Sequence, residues 1–169
     1  MLRLGILSSS AVLAISLMSG GAVAQQKTLK EQIVGTWSLT AWEQTYPDGH
    51  KDKAFGTSPK GINSFDSNGR FAVVYLRPDL PKVAANDRVK PSPAEAMAIA
   101  KGVIAYYGTY TVNEADKSII LNIEASSYTN QMGQPQKRIV TAIGADEMKY
   151  RNPTSTSGGQ IEIALKRVK

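Results

Sequence analysis

Eight short β-prone runs are what this chain has to fold. They span 37–46, 61–65, 70–76, 106–112, 118–126, 136–143, 147–151 and 160–168 and are rich in β-branched and aromatic residues. An antiparallel sheet of eight strands leaves two edges with unpaired backbone groups unless its first strand meets its last. Closure removes both edges and gives an up-and-down barrel, just wide enough inside to be filled by side chains or to hold one small ligand. The expected fold is therefore all-β, an eight-stranded antiparallel barrel. A two-sheet sandwich of the same strands is the alternative.

The punctuation between the runs supports this order. Tyr46-Pro47-Asp48-Gly49 is a turn, since proline presets φ and Asp-Gly favours reversal. Residues 51–59 read as an irregular loop around Phe55-Gly56, and Asp66-Ser67-Asn68-Gly69 as a hairpin turn. The spacing breaks at 77–93, where Pro78, Pro81, Pro91 and Pro93 exclude regular structure. A helix follows over Pro93–Ala105, the one convincing helix, lying between the third and fourth strands. Ser92 is placed to cap it, proline sits in its first turn, and Met97, Ala100 and Ile104 fall on one face. Loop and helix form the largest insertion, either a lid over the barrel mouth or a cover on its outer wall. Before the first strand, Thr28-Leu29-Lys30-Glu31 has the form of a capping box, predicting one helical turn whose Leu29, Ile33 and Val34 face the barrel floor.

Gly35-Thr36-Trp37 opens the first strand. Glycine permits a tight entry, and an indole is large enough to plug a barrel end. A cation from the last strand would then lie over the ring, worth about 0.5–2 kcal/mol depending on desolvation. Ile161, Ile163 and Leu165 alternate inward in the last strand, and Arg167 shares their phase where Lys166 does not. Gly35, Trp37 and Arg167 are the expected closure set.

Residues 1–24 have the pattern of an export signal: Arg3, an apolar run over 4–18, then Ala22-Val23-Ala24. Cleavage after Ala24 leaves one domain over 25–169, periplasmic or secreted, with no integral membrane span. Cysteine is absent, which excludes disulfides, thiolate metal sites, a cysteine nucleophile and an acylated N-terminal cysteine. The formal net charge is +6, but no basic run exceeds two residues, so nucleic acid is not an expected partner.

No recognisable catalytic set is present. His50 is the one histidine and sits beside the 46–49 turn; a metal site needs several convergent ligands, and neither metal nor cofactor is expected. No phosphate-binding glycine loop or Gly-x-Ser-x-Gly occurs. A carboxylate pair such as Asp79 with Glu124 is an acid–base candidate, set against ordinary surface carboxylates. In the 136–143 strand two phases are open. Either Arg138, Val140 and Ala142 face inward, or Ile139, Thr141 and Ile143 do. An inward Arg138 would need a carboxylate, for which Glu124 is the candidate, or an anionic ligand group. Tyr75, Tyr106 and Tyr110 alternate within their strands and offer apolar area with a hydroxyl, as pocket or as core. On the opposite phase, Tyr107 points outward or under the helix. The candidate ligand-binding set is Tyr75, Tyr106, Tyr110, Gln136 and Arg138.

In order along the chain, Gly35-Thr36-Trp37 with Trp42-Glu43, Pro47-Asp48-Gly49, Phe55-Gly56 and Pro59-x-Gly61 come first. Asn68-Gly69-Arg70-Phe71, Arg77-Pro78-Asp79, Ala105 to Tyr110 and Gly133-x-x-Gln136-x-Arg138 follow. This series resembles the bacterial and fungal lipocalin-like domain family, which is distinct in sequence from vertebrate lipocalins. The resemblance covers nearly the whole chain after the leader and implies a calycin-type barrel. It departs in the 118–126 strand, where such proteins often carry a histidine and this chain has Leu121, Asn122 and Ile123. Histidine-dependent chemistry is thus not implied.

The resulting functional expectation is a non-catalytic, exported barrel binding a small hydrophobic or amphipathic molecule. An isomerase or cyclase using the pocket, and a protein-binding or inhibitor module, are the alternatives. Expression of the full-length chain in a bacterium should yield protein whose N-terminus is Gln25, read by intact-mass spectrometry; recovered protein that starts at Met1 would refute the leader.

Overall fold

A computed structural model describes residues 27–169. The predicted leader, 1–24, lies outside the described residues. The elements are α1 (Leu29–Ile33), β1 (Gly35–Thr45), β2 (Lys51–Asp52), β3 (Lys60–Phe65), β4 (Arg70–Leu76), α2 (Pro93–Gly102), β5 (Val103–Asn113), β6 (Ser118–Ser126), β7 (Gln136–Ile143), β8 (Glu147–Asn152) and β9 (Gln160–Arg167). Neighbouring strands pair antiparallel in the order β1-β3-β4-β5-β6-β7-β8-β9, and β1 pairs with β9. Eight strands close into a barrel, as the strand pattern predicts. The two-residue β2, inside the expected 51–59 loop, adds a small flap on the far end of β1.

The end of the helix differs from the sequence reading. The helix ends at Gly102 rather than Ala105. Val103 takes extended dihedrals (φ −126°, ψ 127°), and Val103 and Ile104 pair with Leu76 and Tyr75. Two β-branched residues are worth more in the ladder than in a last helical turn. The apolar face read for that helix is also absent, since Met97 is 55% exposed and Gly102 is its one buried residue. At 66–69 only Gly69 takes positive φ (+87°). Its amide donates to the Asp66 carbonyl at 3.3 Å, and the Asp66 amide donates to Arg70 O at 2.9 Å. The expected hairpin turn therefore forms, as a three-residue loop with a glycine bulge.

Bulges break the strict alternation in three strands. The register slips between Leu39 and Ala41 in β1, so the inward set changes from Trp37 and Leu39 to Trp42 and Gln44. In β7 the slip lies between Val140 and Ala142. Arg138 and Val140 are buried, whereas Ala142 is exposed. The inward phase expected from Arg138 through Ala142 therefore holds for its first two members alone. In β6 one residue, Glu124, is left over between the pairs Tyr107–Ala125 and Gly108–Ile123. A bulge re-aims side chains in this way.

The floor is built on Trp37 and Arg167, which are partners in the β1–β9 ladder. The Arg167 guanidinium carbon lies 3.9 Å from the Trp37 ring centroid, and Trp37 is fully buried. The indole Nε1 donates to Ile33 O at 2.8 Å. Arg167 donates to Gln32 O at 2.6 Å, Val34 O at 2.8 Å and Ala145 O at 2.6 Å. The carbonyls that a helix leaves orphaned at its C-terminus are thereby satisfied. At the other end of α1, the predicted Thr28–Glu31 capping box forms. Glu114, from the β5–β6 turn, accepts from the Leu29 and Lys30 amides at 2.8 and 3.0 Å. Gly35 is obligatory here, with φ at +130° and a Cβ that would lie 2.6 Å from Arg167 Nη1.

Arg167→Ala removes three charge-assisted hydrogen bonds and the cation over the indole. It should lower the unfolding free energy by about 2–4 kcal/mol. Gly35→Ala should cost about 1–3 kcal/mol from its backbone alone. Denaturant unfolding of both variants checks this; a loss below about 0.5 kcal/mol in each would show that the floor is not held this way.

Candidate functional site

Strand direction sorts the interior into two levels. β4 runs from floor to mouth and β5 from mouth to floor, so Tyr75 and Tyr106 lie high while Tyr110 lies low. The lower level is filled. Tyr110 packs edge-on to Phe65 at 5.3 Å, and its hydroxyl donates to Asp66 O at 2.6 Å.

The upper level holds a cavity of about 80 Å3. Its apolar lining is Trp42, Ile104, Ile161 and Ile163, interleaved with polar Tyr75, Tyr106, Arg138, Tyr150 and Asn152, since Tyr150 and Asn152 pair with Ile163 and Ile161 across strands. Gln131, Ser155, Thr156 and Ser157 complete it toward the rim. Sites for drug-sized ligands run to about 300–1,000 Å3, so this one takes a compact group. Aromatic packing keeps it small: Trp42 meets Phe55 at 5.2 Å, and Phe55 meets Tyr75 at 6.3 Å. Phe55, from the loop after β2, is buried like a strand residue.

Three of the predicted ligand-binding residues, Tyr75, Tyr106 and Arg138, come together at this cavity. Two do not. Tyr110 belongs to the lower core, for the directional reason above. Gln136, half-buried at the start of β7, borders an outer groove with Pro135, Lys137 and Pro153. The predicted partner of Arg138 is also elsewhere. Glu124 follows the outward phase of Asn122, opposite buried Leu121 and Ile123, and binds Arg70 bidentately at 2.7 and 3.0 Å. Asp79 pairs with Arg77 at 2.8 Å, so the Asp79–Glu124 pair does not exist. Tyr107 is 48% exposed on the outer wall. His50 binds Asp48 at 2.6 Å and stacks on Tyr46 at 4.1 Å, outside the cavity. Among the described residues, no group of three or more His, Cys, Asp or Glu could hold a metal ion. No helix there is long and apolar enough to cross a membrane.

Sequence reasoning missed Tyr150, Asn152 and Asn63. Glu147, Lys149 and Arg151 alternate with Met148 and Tyr150, so period-two reading of that strand already carried the signal for Tyr150. Trp42 and Gln44 were hidden by the β1 bulge. Gln44, 1% exposed, accepts from Ser157 Oγ at 2.9 Å and donates to Gly158 O. It ties the 153–159 loop over the cavity. None of the lining comes from 77–102, so the proline-rich segment and α2's body do not form the lid that their length suggested.

A hydrogen-bonded cluster lies behind the lining. Asn63 Nδ2 donates to the Tyr150 hydroxyl at 3.0 Å, and the Tyr150 and Tyr75 hydroxyls share a hydrogen at 2.8 Å. Arg138, 5% exposed, donates from Nη1 to Lys137 O at 2.9 Å and to Asn152 Oδ1 at 3.1 Å. Burial disfavours its charge, but the phenol oxygens of Tyr106, Tyr150 and Tyr75 outweigh that and hold its pKa above the ordinary arginine value. Burial pushes Tyr75 well above 10 and Tyr150 up to about 12.

The family model described as a lipocalin-like domain matches residues 34–167. Among solved structures, a lipocalin-like protein from Bacteroides uniformis is similar at 14% identity and a TM-score of 0.44, covering 81% of this chain and 99% of that one. A redesigned β-barrel is similar at 16% identity and a TM-score of 0.45, covering 84% and 96%. A search of curated proteins finds no match.

Tyr150 ionises near pH 10 when unfolded and near 12 in the barrel. Its neutral form therefore stabilises the fold fully below about pH 10, and this contribution is lost as pH rises through about 12, a change of about 2–3 kcal/mol. Denaturant midpoints measured across that window should fall with pH, and less steeply in Tyr150→Phe. Equal slopes in the two proteins would disprove the assignment.

Proposed function

The chain belongs to the lipocalin-like domain family, and from that premise we propose that it is an exported, non-catalytic barrel that receives a small amphipathic molecule at its mouth. One observation carries this reading: the cavity lining intersperses apolar Trp42, Ile104, Ile161 and Ile163 with polar Arg138, Tyr75, Tyr150 and Asn152. A few fixed polar groups set in apolar surface is the usual composition of a small-molecule site.

The size of the cavity restricts the molecule. About 80 Å3 is the share of two or three waters, each occupying about 30 Å3. A compact head group enters without rearrangement. A longer apolar remainder has to leave past Ser155–Ser157 or displace Phe55. The hydroxyls and guanidinium are fixed by neighbours, so binding costs little ordering of the protein.

The chain has two tryptophans, and they sit at opposite levels. Trp42 lines the cavity, while Trp37 is sealed in the floor. A ligand should change Trp42 emission and leave Trp42→Phe, which retains Trp37, without response. At 100 times its dissociation constant it should add about 2.7 kcal/mol of stability, read as a rise in Tm. A thermal-shift screen across short fatty acids, small aromatics and polyketide-like compounds that moves Tm nowhere would overturn the reading.

A further inference from the structure

Arg138 is the one charged side chain in the cavity lining, and it is 5% exposed. Among the described residues, no salt bridge includes it. Its two hydrogen bonds both leave from Nη1, toward neutral oxygens. A buried guanidinium ordinarily meets a carboxylate, because an uncompensated charge in a dry interior is costly. Its fork matches a carboxylate in a bidentate pair.

Among the surrounding groups the phenols add a donor, while Asn63 Oδ1 behind them is a buried acceptor without a hydrogen-bond partner. The Tyr75 and Tyr150 hydroxyls carry two hydrogens and spend one on each other. Asn63 supplies a further hydrogen to Tyr150. One phenolic O–H is left to donate, beside a cation whose hydrogen bonds to the protein leave from Nη1 alone. Asn152 Oδ1 is the neutral oxygen standing where a carboxylate would neutralise Arg138.

We infer that the site selects a monoanion, a compact carboxylate whose oxygens accept from Arg138 and from the Tyr75–Tyr150 hydroxyl pair, with its apolar part against Trp42 and Ile161. The inference rests on the proposed ligand-binding function and names the charge of the ligand. It excludes a second negative charge, since one cation lies in the lining, and it disfavours a cation outright.

The test compares straight-chain carboxylates from acetate to octanoate with their primary amides, which match them in shape and lack the charge. Calorimetric titration is done on the wild type, Arg138→Met and Asn152→Asp. The carboxylate introduced by Asn152→Asp would supply the missing negative charge from inside and leave Arg138 no free charge to offer. The wild type should bind at least one carboxylate ten or more times more tightly than its amide. Asn152→Asp should lose that preference while keeping or raising the wild-type Tm, which separates lost recognition from lost folding. Arg138→Met, where it folds, should bind acid and amide alike.

Equal affinity for acids and amides in the wild type overturns the anion inference and leaves the binding function standing. Undiminished carboxylate preference in folded Asn152→Asp overturns it as well. If neither series binds but a neutral compound from the thermal-shift screen does, the anion inference alone falls. If nothing binds in either experiment, both fall.

Discussion

The barrel depends on one guanidinium. Arg167 lies over Trp37 and donates to Gln32, Val34 and Ala145. Those contacts join the last strand to the first strand, to the end of α1 and to the β7–β8 turn. Closing an eight-stranded sheet removes its edges but leaves two open ends. At this end the aromatic plug, the helix and the terminal strand hold one another. Each contact is modest alone; the carbonyls engaged are ones that α1 cannot satisfy itself. Gly35 is the condition for this geometry, because any side chain there would enter the space of the guanidinium.

Sealing one end decides where a ligand can go. Phe65, Phe71 and Tyr110 fill the level above the plug with ring contacts of 5.3 to 6.4 Å. The vacant volume is displaced to the other end, under Gln131 and Ser155–Ser157. The cover there is polar, short and anchored by buried Gln44. The two ends therefore differ in kind, one closed by a charged residue over an indole and the other by hydrogen-bonded serines.

Much of this was legible in the sequence. Strand boundaries at 70–76, 118–126 and 136–143 came directly from β-branched runs and turn residues, and the Trp37–Arg167 partnership followed from the phase of Ile161, Ile163 and Leu165. The candidate site was legible in part. Tyr75, Tyr106 and Arg138 reached the cavity because local alternation held around them. Trp42 and Gln44 were unseen because each follows a bulge, and a one-residue insertion reverses which face a side chain takes. Nothing local marks such an insertion. Glu124 was misplaced although the alternation of Ile119, Leu121 and Ile123 already put it outside. Tyr110 shows a second limit: periodicity gives the face of a strand, but height along the barrel depends on strand direction and stagger.

Strand phase explains the electrostatics of the interior. Glu124 was the sequence's candidate to neutralise Arg138, but it shares the outward phase of Asn122, opposite buried Ile119, Leu121 and Ile123, and on the outer wall Arg70 takes both its oxygens. Instead Arg138 keeps its charge among neutral oxygens, held by Asn152 and Lys137 O and surrounded by phenols. Replacing an internal ion pair by a charge with neutral partners gains nothing in stability, since the desolvation cost remains and the Coulombic return is smaller. The arrangement is economical only if the missing negative charge arrives from outside, so the outward phase of Glu124 and the neutral amide at Asn152 act together on the cavity.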